Sequence, residues 1–215
     1  MTDVVYRRET CRLCSGSQLD LVLQLAPAAI VDDYISGDRL GEVQQEYPLD
    51  VFLCRSCGHS QLLDVIDPAV LYGNYIYVTT SSLGLVEHFR KYCDDLMGRI
   101  TPAKGSFVVD IGSNDGSLLK FFQGHGMTVL GIDPAREIAR HATESGVETL
   151  PCFFTSELAR ELRQERGPAA IITANNVYSH ADDLGDLTDG IRDLLGPDGV
   201  FVFEVIYLIP MIQKP

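Results

Sequence analysis

At 215 residues, 46% of them hydrophobic, the chain is long enough for one good core plus a small appended module. Its formal charge of −13, from 17 Lys and Arg against 30 Asp and Glu, argues against nucleic-acid backbones and anionic membrane surfaces as partners. The apolar stretch 199–212 is broken by Glu204 and Pro210 and is too short for a bilayer, and no apolar signal core follows Asp3, Arg7, Arg8 and Glu9, so a cytoplasmic location is expected.

The first ten residues read as a flexible or edge-strand lead-in. Two Cys-x-x-Cys knuckles follow, Cys11-Arg12-Leu13-Cys14 and Cys54-Arg55-Ser56-Cys57, each with a Gly within two residues. In a reducing compartment such cysteines are better read as metal ligands or core thiols than as disulfides. Cys-x-x-Cys in a tight turn points two thiolates at one tetrahedral ion, and the Gly supplies the positive φ of the turn. Two knuckles close a four-thiolate Zn2+ site with no open position, structural rather than catalytic. Such a zinc contributes roughly 10–16 kcal/mol of folding energy, which a module this small needs. Residues 15–53 form an inserted excursion. Leu21 to Leu25, Tyr47 to Leu53 and Gln61 to Val65 read as strands, and 32–46 as a surface loop.

Asp67-Pro68 opens a short helix or turn. Tyr72, Tyr75 and Tyr77 then cluster before the run Thr79-Thr80-Ser81-Ser82. They either pack one module against the other or line a cleft between modules. Leu83, Val86, Phe89, Tyr92, Cys93, Leu96 and Ile100 recur at helical spacing, which predicts an amphipathic helix over about 82–100. Beyond it the pattern alternates. Strands are expected over about 106–111, 127–132, 147–154, 169–174 and 200–208, and helices over about 115–124, 135–145, 156–165 and 183–195. Strand–helix repetition of this kind implies a parallel sheet. A chain that stops at Gln213-Lys214-Pro215, just after a buried-looking strand, is expected to be a fragment, or to be completed by a missing C-terminal segment or a second chain.

The alternation is organised around Asp110-Ile111-Gly112-Ser113-Asn114-Asp115-Gly116, a strand end, a tight turn and a helix start. This is where an α/β sheet binds a nucleotide-like ligand. The dinucleotide fingerprint Gly-x-Gly-x-x-Gly is absent, and Asp110 and Asp115 would repel a pyrophosphate. S-adenosylmethionine, a cation without phosphate, suits the loop better than NAD. Asp133-Pro134 ends the second strand about twenty residues on, where a carboxylate accepts both ribose hydroxyls of an adenosine, unless it is a plain strand-end turn. Gly112 and Gly116 would let the ligand approach the backbone, and Asp110 could hold its ammonium. Asn114 and Asp115 could do the same or cap the next helix. Phe153-Phe154 either faces the adenine or belongs to the core. Asn175 and Asn176 end the fourth strand on the ligand side. His180 either acts as acid, base or orienting group, or pairs with Asp182 and Asp183.

Taken together these motifs resemble the sugar C-methyltransferases of antibiotic and surface-polysaccharide biosynthesis. The resemblance rests on both cysteine knuckles, Tyr75-x-Tyr77, the Asp110–Gly116 loop, Gly131-Ile132-Asp133-Pro134, Ala174-Asn175-Asn176-Val177 with His180, and Phe203-Glu204 with Tyr207. It implies an α/β, Rossmann-like class I methyltransferase sheet with an N-terminal zinc-binding module. Residues 1–80 would form the zinc-binding and substrate-lid module and 81–215 the S-adenosylmethionine-binding domain. The implied substrate is a nucleotide-linked keto-deoxysugar, faced by Tyr77 and His180. The implied chemistry is loss of a proton beside the ketone, then methylation of the resulting enolate carbon. The family's Tyr-His-Glu-His-type motif and C-terminal lobe lie past Pro215. The alternative is a non-catalytic module that binds zinc and S-adenosylmethionine and serves as a partner or scaffold.

Overall fold

The computed structural model describes residues 4–32, 34–73 and 75–213. Expectations that touch Asp3, Lys214 and Pro215 lie outside them. The described residues fall into two compact units, one ending at Tyr77 and one starting at Val78.

The first unit holds strands β1 (Val5–Arg7), β2 (Leu19–Leu23), β3 (Val51–Cys54), β4 (Ser60–Leu62) and β5 (Asp64–Ile66), then helix α1 (Pro68–Tyr72). Strands β2, β3 and β4 make one antiparallel sheet, and β1 pairs antiparallel with β5. The single strand expected over 61–65 is therefore two. Leu63 between them is buried, and its carbonyl accepts the Arg8 N–H at 2.8 Å, so one apolar run serves two sheets. The strand expected from Tyr47 is also shorter. Tyr47 makes an isolated bridge to Ala28, and Pro48, which has no N–H to give a ladder, separates it from β3. Helix α1 starts where the Asp67 carboxylate accepts the Ala69 N–H at 2.9 Å, with Pro68 in its first turn.

The second unit opens with α2 (Leu83–Ile100), whose N-cap hydroxyl on Ser82 accepts the Leu85 N–H at 3.4 Å. Then come β6 (Phe107–Ile111), α3 (Ser117–Gly124), β7 (Thr128–Ile132), α4 (Arg136–Glu144), β8 (Thr149–Leu150), α5 (Ser156–Arg166), β9 (Ala169–Asn175), α6 (Leu184–Leu194), β10 (Leu195–Glu204) and α7 (Leu208–Gln213). The five strands form one parallel sheet in the order β10-β9-β6-β7-β8. Alternate side chains feed two cores. Val109, Ile111, Leu130 and Ile172 pack with α5 and α6, whereas Val108, Val129 and Ile171 pack with α2 and α3.

Three elements differ from expectation, one of them α7, a helix that starts at Leu208 where the last strand is expected to end. The third strand of the sheet keeps only two residues, because Pro151 follows Leu150 and Cys152 turns back to donate to the Leu150 carbonyl at 3.0 Å. The last strand begins at Leu195 and ends at Glu204, absorbing 196–199 as an irregularity in its pairing with β9 instead of leaving them as a loop. Arg163 holds that corner by donating to the carbonyls of Asp193, Leu194 and Leu195 at 3.0, 3.3 and 2.7 Å.

Candidate functional site

The four cysteines of the knuckles converge. Their sulfurs all lie within 4.8 Å of one another, with Cys11 and Cys57 at 3.7 Å and Cys14 and Cys54 at 3.6 Å. A tetrahedral zinc with Zn–S bonds of about 2.3 Å demands sulfur separations of about 3.8 Å, so the donor set fits the ion. The turns are not built alike. Gly58 supplies the positive φ of the second knuckle, at 77°, but in the first it is Ser15 that takes it, at 60°. Gly16 is needed for space: a methyl there would lie 2.7 Å from Ser56 Oγ of the facing knuckle. Burial pushes the Cys11 thiol up, yet the backbone N–H groups of Cys14 and Leu13 bring it down to about 6, on the thiolate side. His59, beside the second knuckle, is lowered by burial and by the Arg12 charge, which keeps it neutral.

In the second unit, β6 ends at the expected loop. Gly112 has φ 71°, and a methyl on it would sit 2.3 Å from Val177 Cγ2, so both conformation and space require glycine. The Cβ direction of Gly116 is likewise filled, by Val147. Asp133, at the end of β7, is buried and accepts two backbone N–H groups, Asn114 at 2.8 Å and Ala135 at 2.9 Å. It thereby ties the loop to the neighbouring strand, with the half-buried Pro134 just beyond. Two of the loop's polar side chains, Asn114 and Asp115, are engaged by residues outside it. Asn114 Oδ1 accepts the Thr79 N–H at 2.8 Å and the Thr79 hydroxyl at 3.3 Å. Asp115 accepts the Thr80 N–H at 2.9 Å, and also caps α3 through the Ser117 N–H at 3.1 Å and hydroxyl at 2.6 Å.

Asp110 sits under this loop, 4% exposed, and accepts the Thr173 hydroxyl at 2.6 Å. Burial pushes its carboxyl up to about 7, against the pull of that bond, and the charge of Asp133 adds to the rise. Burial also raises Asp133, opposed by its two N–H donors. Two buried acids side by side mark a place where positive charge is welcome.

Asn175 closes β9 on the Asp110 side of the sheet, and its amide nitrogen and oxygen are both buried without a hydrogen bond. Asn176 is exposed at φ 56°, its N–H donating to the Glu204 carbonyl at 2.7 Å. His180 ends a 3-10 turn, Tyr178–His180, where it is exposed, and partial loss of water around the ring lowers it only modestly below an ordinary imidazole. Phe154 packs in the core with Leu187 and Ile191, whereas Phe153 is 41% exposed. Tyr77 belongs to the first unit, its ring 6.4 Å from that of Tyr75, which is in turn 6.1 Å from Tyr72. The structure thus gathers Asp110, Gly112, Asn114, Asp115, Gly116, Asp133 and Asn175 around the carboxyl ends of β6, β7 and β9.

Sequence reasoning passed over four contributors. Thr173 secures Asp110, and Thr79 and Thr80 secure the loop. Ser113 places a buried hydroxyl, without a hydrogen bond, over Gly131, where a methyl would come within 2.4 Å of it. A threonine inside an apolar strand, two residues short of its polar end, was the available signal for Thr173.

A parallel five-stranded sheet flanked by helices, with an acidic loop after its central strand, is the Rossmann-like fold of S-adenosylmethionine-dependent methyltransferases. Comparison with known proteins agrees. A family model described as "Methyltransferase domain" matches residues 85–210, and one described as "Putative zinc binding domain" matches residues 11–72. The chain therefore belongs to the methyltransferase domain family, and its first unit matches a zinc-binding domain model whose four cysteines the structure brings together. It is 34% identical over 214 residues to the C-methyltransferase NovU of Streptomyces niveus, covering 100% of this chain and 51% of NovU. The chain spans about half the length of that curated relative. Among solved structures it is similar to the PH0226 protein of Pyrococcus horikoshii, with a TM-score of 0.50 and 19% identity over 64% of this chain and 62% of that one. It is also similar to an S-adenosylmethionine-dependent methyltransferase of Agrobacterium tumefaciens, with a TM-score of 0.44 and 13% identity over 60% of this chain and 45% of that one. No helix among the described residues is long and apolar enough to cross a membrane.

Proposed function

We propose that this chain takes part in S-adenosylmethionine-dependent C-methylation of a nucleotide-linked keto-deoxysugar, in antibiotic or surface-polysaccharide biosynthesis. The observation that carries this reading is the match to the C-methyltransferase NovU, which runs through both units of the chain. The methyl donor, when bound, supplies an electrophilic methyl on a sulfonium. The chain's own residues bind and orient. Asp133 would accept the ribose hydroxyls with the lone pairs its two backbone donors leave over. The buried carboxyl of Asp110 and the amide of Asn175 would face the polar end of the donor, with Pro134 and Asn176 at the rim. Gly112 and Gly116 hold the loop in the one shape that keeps these groups together.

On the substrate side, neutral His180 offers a ring nitrogen that could take or return a proton near pH 7. Tyr77 is carried as a substrate-orienting phenol on the family resemblance alone. The four cysteines have a structural task, closing the first unit around zinc.

The test is calorimetry of the 215-residue chain with S-adenosylhomocysteine and, separately, NAD, followed by an assay for methyl transfer to a nucleotide-linked keto-deoxysugar. S-adenosylhomocysteine is expected to bind and NAD not. Asp133→Ala should weaken S-adenosylhomocysteine by about 1–3 kcal/mol, the worth of one or two hydrogen bonds. Binding of NAD alone would refute the cofactor, and undiminished affinity in the variant would remove Asp133 from the site.

A further inference from the structure

The sheet face that meets α2 has a regular composition. Period-two alternation sends Val108 and Asp110 of β6, Ile171, Thr173 and Asn175 of β9, and Val200, Val202 and Glu204 of β10 to that side. Each row is apolar within the sheet and turns polar at the strand's carboxyl end. Helix α2 covers it in register. Phe89, Cys93 and Leu96 pack on the apolar part. His88 and Tyr92, one helical turn apart, reach the polar part: His88 Nε2 meets Glu204 Oε2 at 2.6 Å. The Tyr92 hydroxyl is pushed up by burial, then by the carboxylates of Asp110 and Glu204, with Asn175 pulling the other way.

Within this polar row the Tyr92 hydroxyl and both the nitrogen and the oxygen of the Asn175 amide are buried and make no hydrogen bond of good geometry; the phenol and the amide are near neighbours, and a single bond between them would still leave the amide short of partners. Buried polar groups almost always have a partner, and three gathered beside a buried acid are matched to something polar. Tyrosine is also a poor choice for simple packing here, since phenylalanine would fill the same space without a hydroxyl to satisfy. What these atoms offer is mixed. The phenol and the amide nitrogen donate, and the amide oxygen and Asp110 accept. An α-amino acid is the complementary group, its carboxylate accepting and its ammonium donating.

We propose that Tyr92 of α2, with Asn175 and beside Asp110, forms the receptacle for the α-amino-acid end of the methyl donor. This rests on the donor reading given above and adds a binding residue from outside the family's loop. It also assigns α2 a share in the site beyond covering the sheet.

Two ligands separate this from general damage. S-adenosylhomocysteine carries the amino-acid end, and 5′-methylthioadenosine has the same adenosine and thioether without it. Calorimetry on the full chain should show Tyr92→Phe weakening S-adenosylhomocysteine by about tenfold, one net hydrogen bond's worth, and leaving 5′-methylthioadenosine within about twofold. The unliganded variant should melt at or above the wild-type temperature, because it loses only an unpaired hydroxyl; a packing role would lower it. Asn175→Ala should give the same selective loss. Unchanged S-adenosylhomocysteine affinity in Tyr92→Phe, or equal weakening of both ligands, would overturn the proposal while leaving the donor reading intact. Failure of the wild-type chain to bind either ligand would bring down that reading, and this proposal with it.

Discussion

Replacing Asp110 by Asn should stabilise the unliganded protein, and by an amount that depends on pH. The carboxyl is buried, and its pKa rises from 3.8 to about 7, first through loss of water and then through the charge of Asp133. For an acid raised in the fold, the folded state prefers the proton. The stability Asp110 contributes is therefore complete below about pH 4, declines as the unfolded chain ionises and the folded one does not, and reaches its floor above about pH 7. A rise of about three units corresponds to about 4 kcal/mol between the two ends, a ceiling because burial relaxes when charge enters. Asn cannot ionise but can still accept the Thr173 hydroxyl, so Asp110→Asn should not follow this decline. Urea unfolding of both proteins at pH 5 and pH 8 measures it, and differencing cancels what other groups contribute. The variant's advantage should grow by roughly 2–3 kcal/mol from pH 5 to pH 8, while its affinity for S-adenosylhomocysteine falls. A difference that stays flat, or a wild type that gains on the variant as pH rises, would refute the argument.

Cys54→Ser should release the metal, because three thiolates leave a tetrahedral ion one ligand short; metal analysis would show less than one zinc per chain, and undiminished content would contradict the four-cysteine centre. Gly112→Ala should cost about 2–5 kcal/mol, since it adds a left-handed penalty of about 1–2 to an overpacking cost of about 1–3 against Val177. Combining it with Val177→Ala should recover the packing part only, so strictly additive losses in a double-mutant cycle would show that the two positions do not meet.

Much of this molecule could be read from its residues because the signals were local. The cysteine spacing, the period-3.6 run from Leu83 to Ile100 and the apolar strand into Asp110 each depend on a few neighbouring positions. What escaped was set at long range. Nothing near Ser15 announces that it, and not Gly16, takes the positive φ, nor that Gly16 is kept small by Ser56 across the site, 2.7 Å from where a Gly16 methyl would be. Asn114 and Asp115 could each bind ligand or cap a helix when seen alone, and their bonds to Thr79 and Thr80 span 35 residues. The strand expected over 147–154 failed for a local reason that was visible, Pro151. Tyr92 fell on the apolar stripe of α2 as predicted, but that its hydroxyl is buried without a hydrogen bond of good geometry depends on how the helix crosses the sheet.

The engagement of Asn114 and Asp115 also decides how the site works. Side chains already bonded to Thr79, Thr80 and Ser117 are not free to reorganise around a ligand, so the loop is held in shape before the donor arrives. On the proposed reading, recognition then falls to backbone, to Asp133 and to the polar row under α2. Those groups are buried acids and unpaired polar atoms, which cost the empty fold stability and become favourable only against a ligand that is cationic at one end and rich in hydroxyls at the other. A loop that cradled a pyrophosphate would show the opposite sign, with backbone donors unopposed by carboxylates. The same features that make Asp110→Asn stabilising therefore support the proposal of S-adenosylmethionine, and not a dinucleotide, as the occupant.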